Sequence, residues 1–80
     1  MLTKTGPNAV QSSDGFKVAI VKRCELHYED QAGKTVVPTE PMADGQLVVS
    51  ASTIATERRR VLTDRISAAL DFLGIRHRFD

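Results

Sequence analysis

The sequence predicts an α+β domain, with a small, mostly antiparallel sheet of three to five strands, one C-terminal helix packed on one face and a short last strand. Three observations carry this. Thr56 to Gly74, TERRRVLTDRISAALDFLG, is the one stretch long and periodic enough for a helix. At about 100° per residue Leu62, Ile66, Ala69 and Leu73 fall on one stripe, with Leu70 at its edge. Upstream, apolar side chains recur at every second position, the period of half-buried strands. Between those runs lie Asp-Gly and other glycine-bearing turn signals.

Taken in order, residues 1–8 are polar around Gly6-Pro7-Asn8 and are expected to be loosely held at the start of a single domain, 1–80. Asp14-Gly15 separates Ala9-Val10-Gln11 from Phe16–Val21 and predicts a hairpin with a weak leading strand. From Phe16 to Tyr28 the apolar residues occupy even positions, Phe16, Val18, Ile20, Cys24, Leu26 and Tyr28, with Lys22 the one interruption. This is either one strand bent or bulged near Val21–Cys24 or two strands joined by a short turn. Glu29 to Lys34 reads as a turn leading into Thr35-Val36-Val37, a second hairpin, with Pro38 ending the ladder or marking an edge.

Thr39 to Gly45, TEPMADG, reads as a loop, and Leu47-Val48-Val49 as a short strand well inside the sheet. Thr53 or Thr56 can cap the helix, and Gly74 is placed to end it in a left-handed Schellman turn with Ile75 against Leu70. Ile75, His77 and Phe79 alternate with charged residues as a last strand, able to lie parallel to the Leu47 strand after the helical crossover.

Eighty residues suffice for one core, and 41% hydrophobic with 26% charged residues excludes both disorder and a bilayer-crossing run. The single Cys24 excludes an internal disulfide, and the N-terminal stretch lacks the apolar segment of a signal peptide, so a cytoplasmic location is expected. A net charge of +1 gives no strong global field, and no membrane association or cofactor is expected.

Cys24, His27 and His77 fall one ligand short of a structural zinc set, and Cys24 and His27 point to opposite faces of a strand, so no metal is expected. Glu25, His27 and Glu29 share a strand face in a spacing that can orient an imidazole, yet they are also what the solvent side of such a strand contains. With no nucleophile turn or glycine-rich loop, no catalytic residues and no enzyme activity are expected. Glu40, in the TEPMADG loop, is a candidate binding residue.

The arginines are more informative. Arg58, Arg59 and Arg60 stand near the helix start, where cations oppose the dipole, although Arg60 can pair with Asp64 one turn on. Arg65 lies on the wheel between the core stripe and a second set, Val61, Ala68 and Phe72, which widens the apolar arc to about 200°. Either Val61 and Phe72 cover a sheet edge or the N-terminal segment while Arg65 snorkels to water, or Val61, Arg65, Ala68 and Phe72 face a protein partner or a second copy of the chain. Alternatively, Arg58, Arg59, Arg60, Arg76 and Arg78 converge on nucleic acid, for which the balanced charge and scarce aromatics give little backing.

The order of LHYEDQAGKTVV, the glutamate loop TEPMADG, the strand QLVVSAS and the helix RRVLTDRISAALDFLGI resembles one of the small immunity-protein families of bacterial polymorphic toxin systems, over Phe16 to Phe79. The resemblance implies a cytoplasmic protein that binds and neutralises a toxin, with no catalytic residues to carry over.

Overall fold

The computed structural model describes residues 1–22 and 24–80. Among the described residues seven strands form one curled sheet, β1 (Leu2–Gly6), β2 (Ala9–Ser12), β3 (Lys17–Lys22), β4 (Glu25–Asp30), β5 (Gly33–Pro41), β6 (Leu47–Val49) and β7 (His77–Phe79), in that spatial order. Neighbours pair antiparallel except β6 and β7, which are parallel and joined through a short 3₁₀ turn (Ala51–Thr53) and the helix α1 (Thr56–Phe72).

The expectation of a three- to five-stranded sheet is thus corrected to seven, on two grounds. Residues 2–6, expected to be loose, form an edge strand against β2, with Leu2 opposite Ser12 and Lys4 opposite Val10. Only Leu2 and Gly6 of β1 are even half-buried, so this strand carries almost no apolar alternation. Second, Phe16 to Tyr28 is a hairpin of two strands, with Val18 opposite Tyr28 and Ile20 opposite Leu26. A bulge between Ile20 and Lys22 keeps even-numbered residues of both strands on the same face, which is why the sequence period runs through the turn unbroken. Residue 23, within the Val21–Cys24 stretch expected to bend, lies outside the described residues.

The predicted Asp14-Gly15 turn closes β2 onto β3: Ser12 N–H donates to the Phe16 carbonyl at 2.8 Å, and Gly15 takes φ 95°. β5 runs on through Pro38 instead of ending there. Its first six residues pair with β4 and its last three with β6, so Pro38, which has no N–H to give, stands at the hand-over between the two ladders. Thr39 to Pro41 therefore belong to the strand, not to a loop.

Neither predicted threonine caps α1. Ala55 occupies the cap position with no side-chain bond, and Thr53 Oγ1 donates back to the Ser50 carbonyl at 2.8 Å. The C-terminal stop matches the sequence reading: Gly74 sits at φ 75°, Ile75 N–H donates to the Leu70 carbonyl and Gly74 N–H to Asp71, the two bonds of a Schellman turn. Leu62, Ile66, Ala69 and Leu70 lie buried on α1 against Val10, Phe16, Val18, Leu26, Tyr28, Val37, Leu47, Val49 and Ile54. Among the described residues, no helix is long and apolar enough to cross a membrane.

Candidate interaction surface

Because β4 alternates, Tyr28 and Asp30 project to the face that α1 covers, and two arginines of the helix reach down to them. Asp30 Oδ1 accepts the Ala32 N–H at 2.9 Å, and Oδ2 accepts the Tyr28 hydroxyl at 2.8 Å and Arg58 Nη2 at 2.5 Å. Arg65 Nη1 donates to the Tyr28 oxygen at 2.7 Å and lies 3.6 Å from Asp30 Oδ2. Its guanidinium carbon sits 5.0 Å over the Phe16 ring, which is itself stacked on Tyr28 with centroids 5.9 Å apart.

The Tyr28 hydroxyl bond, with those from Arg58 and Ala32, holds the Asp30 carboxyl below the usual carboxylate range despite partial burial. Burial pushes the Tyr28 phenol up against the opposing pull of Arg65, and the bond to Tyr28 raises Arg65. Asp30 is therefore ionised and saturated with donors, and Tyr28 neutral, so the cluster has no proton to exchange near neutral pH. It works as a clamp between α1 and the β4–β5 turn. The hollow beside it, of about 260 Å³ and lined in part by Phe16, Lys17, Asp30 and Gln31, is open and below the usual size of a ligand pocket.

The lowered Asp30 sets a sign. The unfolded chain binds this proton more readily than the native one, so the stability contributed by Asp30 is complete above its ordinary value near 3.8 and is lost as pH falls through its lower native value. Urea unfolding from pH 7 down to pH 2.5 should show a smaller acid-side loss of stability in Asp30→Asn than in the parent. Parallel curves would dismiss the clamp.

A second polar group ties β7 to the helix. Ser67 Oγ lies 2.8 Å from His77 Nε2, His77 Nδ1 lies 3.0 Å from the Ile75 carbonyl, and the exposed Asp71 carboxylate stands 3.8 Å from Nδ1. The residue types are those of a hydrolytic triad. Ser67 is, however, in mid-helix, where the surrounding N–H groups are consumed by the helical ladder and none is free to hold an oxyanion. The group serves as a second anchor.

The arginines of the nucleic-acid alternative are placed apart. Arg58 is bound to Asp30, Arg59 Nη2 donates to the Ile54 carbonyl at 2.9 Å, and Arg76 binds the Asp44 carbonyl. Arg60 is exposed on α1, whereas Arg78 is exposed on the opposite, outward face of the sheet beside Val48. Glu40 also lies on that outward face, opposite Val48, and is not brought near the helix strip. Glu29 stands between Lys17 and Lys34 there, and His27 between Ala19 and Val36, with no hydrogen bond at Nε2 and Glu25 Oε2 3.6 Å away. Among the described residues, no three His, Cys, Asp or Glu side chains cluster to hold a metal ion.

What remains on α1 is the strip Val61, Ala68 and Phe72. Val61 is 47% and Phe72 51% exposed, Ala68 is exposed between them, and among the described residues no sheet edge covers them. Arg65, assigned to the same strip on the wheel, turns to Tyr28 instead. No protein-family model, curated protein or solved structure matches the chain. The Tyr28–Asp30–Arg58–Arg65 clamp escapes sequence reading except for one signal, the awkward place of Arg65 within the apolar arc, which asks for a buried polar partner.

Proposed function

We propose that the chain is a non-catalytic protein-binding domain, an inhibitor of the immunity type that occludes a partner toxin, with Val61, Ala68 and Phe72 as the centre of its contact surface. The observation that carries this is the pair of large apolar side chains left half-exposed on one line of a helix. Singly, either is ordinary on a soluble domain. Together they form a strip about 16 Å long, presented by a helix tied down by Arg58 and Arg65 to Asp30 and Tyr28 and by Ser67 to His77. A pre-ordered strip with an aromatic at one end suits an interface centre, because little side-chain freedom is lost on binding. The immunity-type reading rests on the segment resemblance. Protein is favoured over nucleic acid because three of the five arginines are engaged within the chain.

The test is co-expression with the protein encoded by the neighbouring reading frame. The parent chain should relieve its toxicity, and Phe72→Asp should weaken binding at least tenfold while leaving the melting temperature nearly unchanged. Full protection by the Phe72→Asp protein would remove the strip from the interface. Unfolding of that variant would place Phe72 in the core and end the proposal for the strip.

A further inference from the structure

Asp14 and Asp44 are each followed by glycine, and the fold sets both dipeptides in the same kind of turn. Ser12 N–H donates to the Phe16 carbonyl at 2.8 Å and Gly15 N–H to the Ser12 carbonyl at 3.1 Å. In the other turn Met42 N–H donates to the Gln46 carbonyl at 2.8 Å and Gly45 N–H to the Met42 carbonyl at 3.0 Å. Gly15 and Gly45 take φ 95° and 88°, and both aspartates are exposed. An Asp-Gly peptide carries its own reactive pair, the carboxyl carbon and the next amide nitrogen, with no glycine side chain to shield that nitrogen. What keeps the two apart is the orientation of the peptide unit between them.

That unit is held differently in the two turns. The Asp44 carbonyl accepts from Arg76 Nη2 while the Gly45 N–H is bound to Met42, so the peptide is fixed at both ends. Asp44 Oδ1 also accepts the Gln46 N–H at 3.1 Å. A side-chain carbon placed on Gly45 would stand 3.3 Å from Arg76 Nη2, so the guanidinium covers this turn as well, whereas one on Gly15 would meet nothing within 4 Å. The Asp14–Gly15 peptide is held at its N–H alone: among the described residues nothing hydrogen-bonds the Asp14 carbonyl or carboxylate. The Ser12 Oγ bond reaches the Asp14 N–H at 3.0 Å, on the other side of its Cα, and leaves that peptide free to turn.

We infer that Asp14 is a site of spontaneous isomerisation to an isoaspartyl residue, and that Arg76 protects Asp44 from the same reaction. The Gly15 nitrogen gives its proton to solvent and bonds to Asp14 Cγ, and one carboxyl oxygen leaves as water, closing a five-membered succinimide. Water then adds to either ring carbonyl. Breaking the Cγ–N bond restores aspartate, whereas breaking the bond from the main-chain carbon to nitrogen leaves the chain running through Cβ and Cγ, with the former main-chain carbonyl now a free carboxylate. One water is lost and one regained, nothing is oxidised, and the mass is unchanged. The product is the substrate class of isoaspartate-specific carboxyl methyltransferases. It lengthens the β2–β3 turn by one carbon directly before Phe16, whose ring stacks on Tyr28 beneath the Arg65 guanidinium, so ageing at Asp14 loosens the chain beside the clamp.

The test is to age the full chain for several weeks in warm neutral buffer, digest it, and separate aspartyl from isoaspartyl peptides, with electron-transfer fragmentation to assign each position. The additional hydrogen bonds at the Asp44 turn set the expected ratio: Asp14 should convert about tenfold faster than Asp44. The same chain aged in guanidinium chloride, where both dipeptides are free, should convert at the two positions at nearly equal rates. Arg76→Ala, at an exposed position, should raise conversion at Asp44 several-fold and leave Asp14 unchanged. Circular dichroism shows whether that variant is folded, and the comparison of native with unfolded parent needs no variant. The isoaspartyl form, separated from the parent, should melt at a lower temperature, and equal melting would remove the link to the clamp. Equal rates in the native chain, faster conversion at Asp44, or no isoaspartate at Asp14 after an incubation that converts the unfolded chain would each overturn the assignment. A ratio that persists in guanidinium chloride would place its cause in the neighbouring residues and overturn it too. Unchanged conversion at Asp44 in folded Arg76→Ala would end the protective role of Arg76.

Discussion

Ile66→Ala should lower the stability of the domain by about 2–5 kcal/mol, the cost of removing a fully buried aliphatic side chain and leaving a cavity behind. Ile66 is wholly buried, in the middle of the stripe that seats α1 on the sheet, between Leu62 and Leu70. It has no alternative neighbour to collapse onto it, since the helix backbone is held on either side by the Arg58 and Arg65 bonds and by Ser67. A domain of this size holds roughly 4–12 kcal/mol in total. The substitution should therefore populate the unfolded state measurably at room temperature. Equilibrium urea denaturation is the measurement, and a loss below about 1 kcal/mol would mean that the helix is not the cover of the core.

Tyr28→Ala should be nearly as damaging, at about 3–5 kcal/mol, and Tyr28→Phe should cost only about 1 kcal/mol. The ring and the hydroxyl do separate work. The ring is fully buried and stacks on Phe16, so its deletion opens the centre of the sheet. The hydroxyl accepts from Arg65 and donates to Asp30, and its loss leaves Asp30 still held by Arg58 and Ala32. A drop of about 4–8 °C in melting temperature is the corresponding expectation for Tyr28→Phe. If the phenylalanine variant were as unstable as the alanine one, the polar clamp and not the ring packing would dominate at this position.

The parts of the fold that are legible from sequence are those in which one residue decides the outcome alone. Asp14-Gly15 and Gly74 each need a left-handed backbone, and both turns stand where the sequence places them. The stripe of α1 is legible for a different reason, a period that no other element shares. β1 escapes because an edge strand with polar residues on its open side carries no alternation to read. The β3–β4 turn is obscured by the bulge, which preserves the parity that a turn ordinarily breaks. Pro38 reads as a terminus because its missing donor is a local fact, whereas its tolerance in β5 depends on which ladder each side of it joins. The clamp joins Asp30 to arginines 28 and 35 positions away, and no single-sequence pattern encodes such a pair. Arg58 and Arg59 illustrate the point: two adjacent cations read as a basic patch, yet each is turned to a different acceptor within the fold.

The strand order has a consequence in time. Every strand lies beside the one made just before it, so no part of the sheet waits for a later segment to be inserted. The strands bearing Val10, Val18, Leu26, Tyr28 and Val37 have all been synthesised by the end of β5, β6 adds Leu47 and Val49, and the covering helix begins only at Thr56. Until α1 follows, those side chains have no cover and the core cannot close. The helix is thus the chain's own late-arriving guard against aggregation, and Leu62, the first buried side chain of α1, is the first part of it to reach those strands.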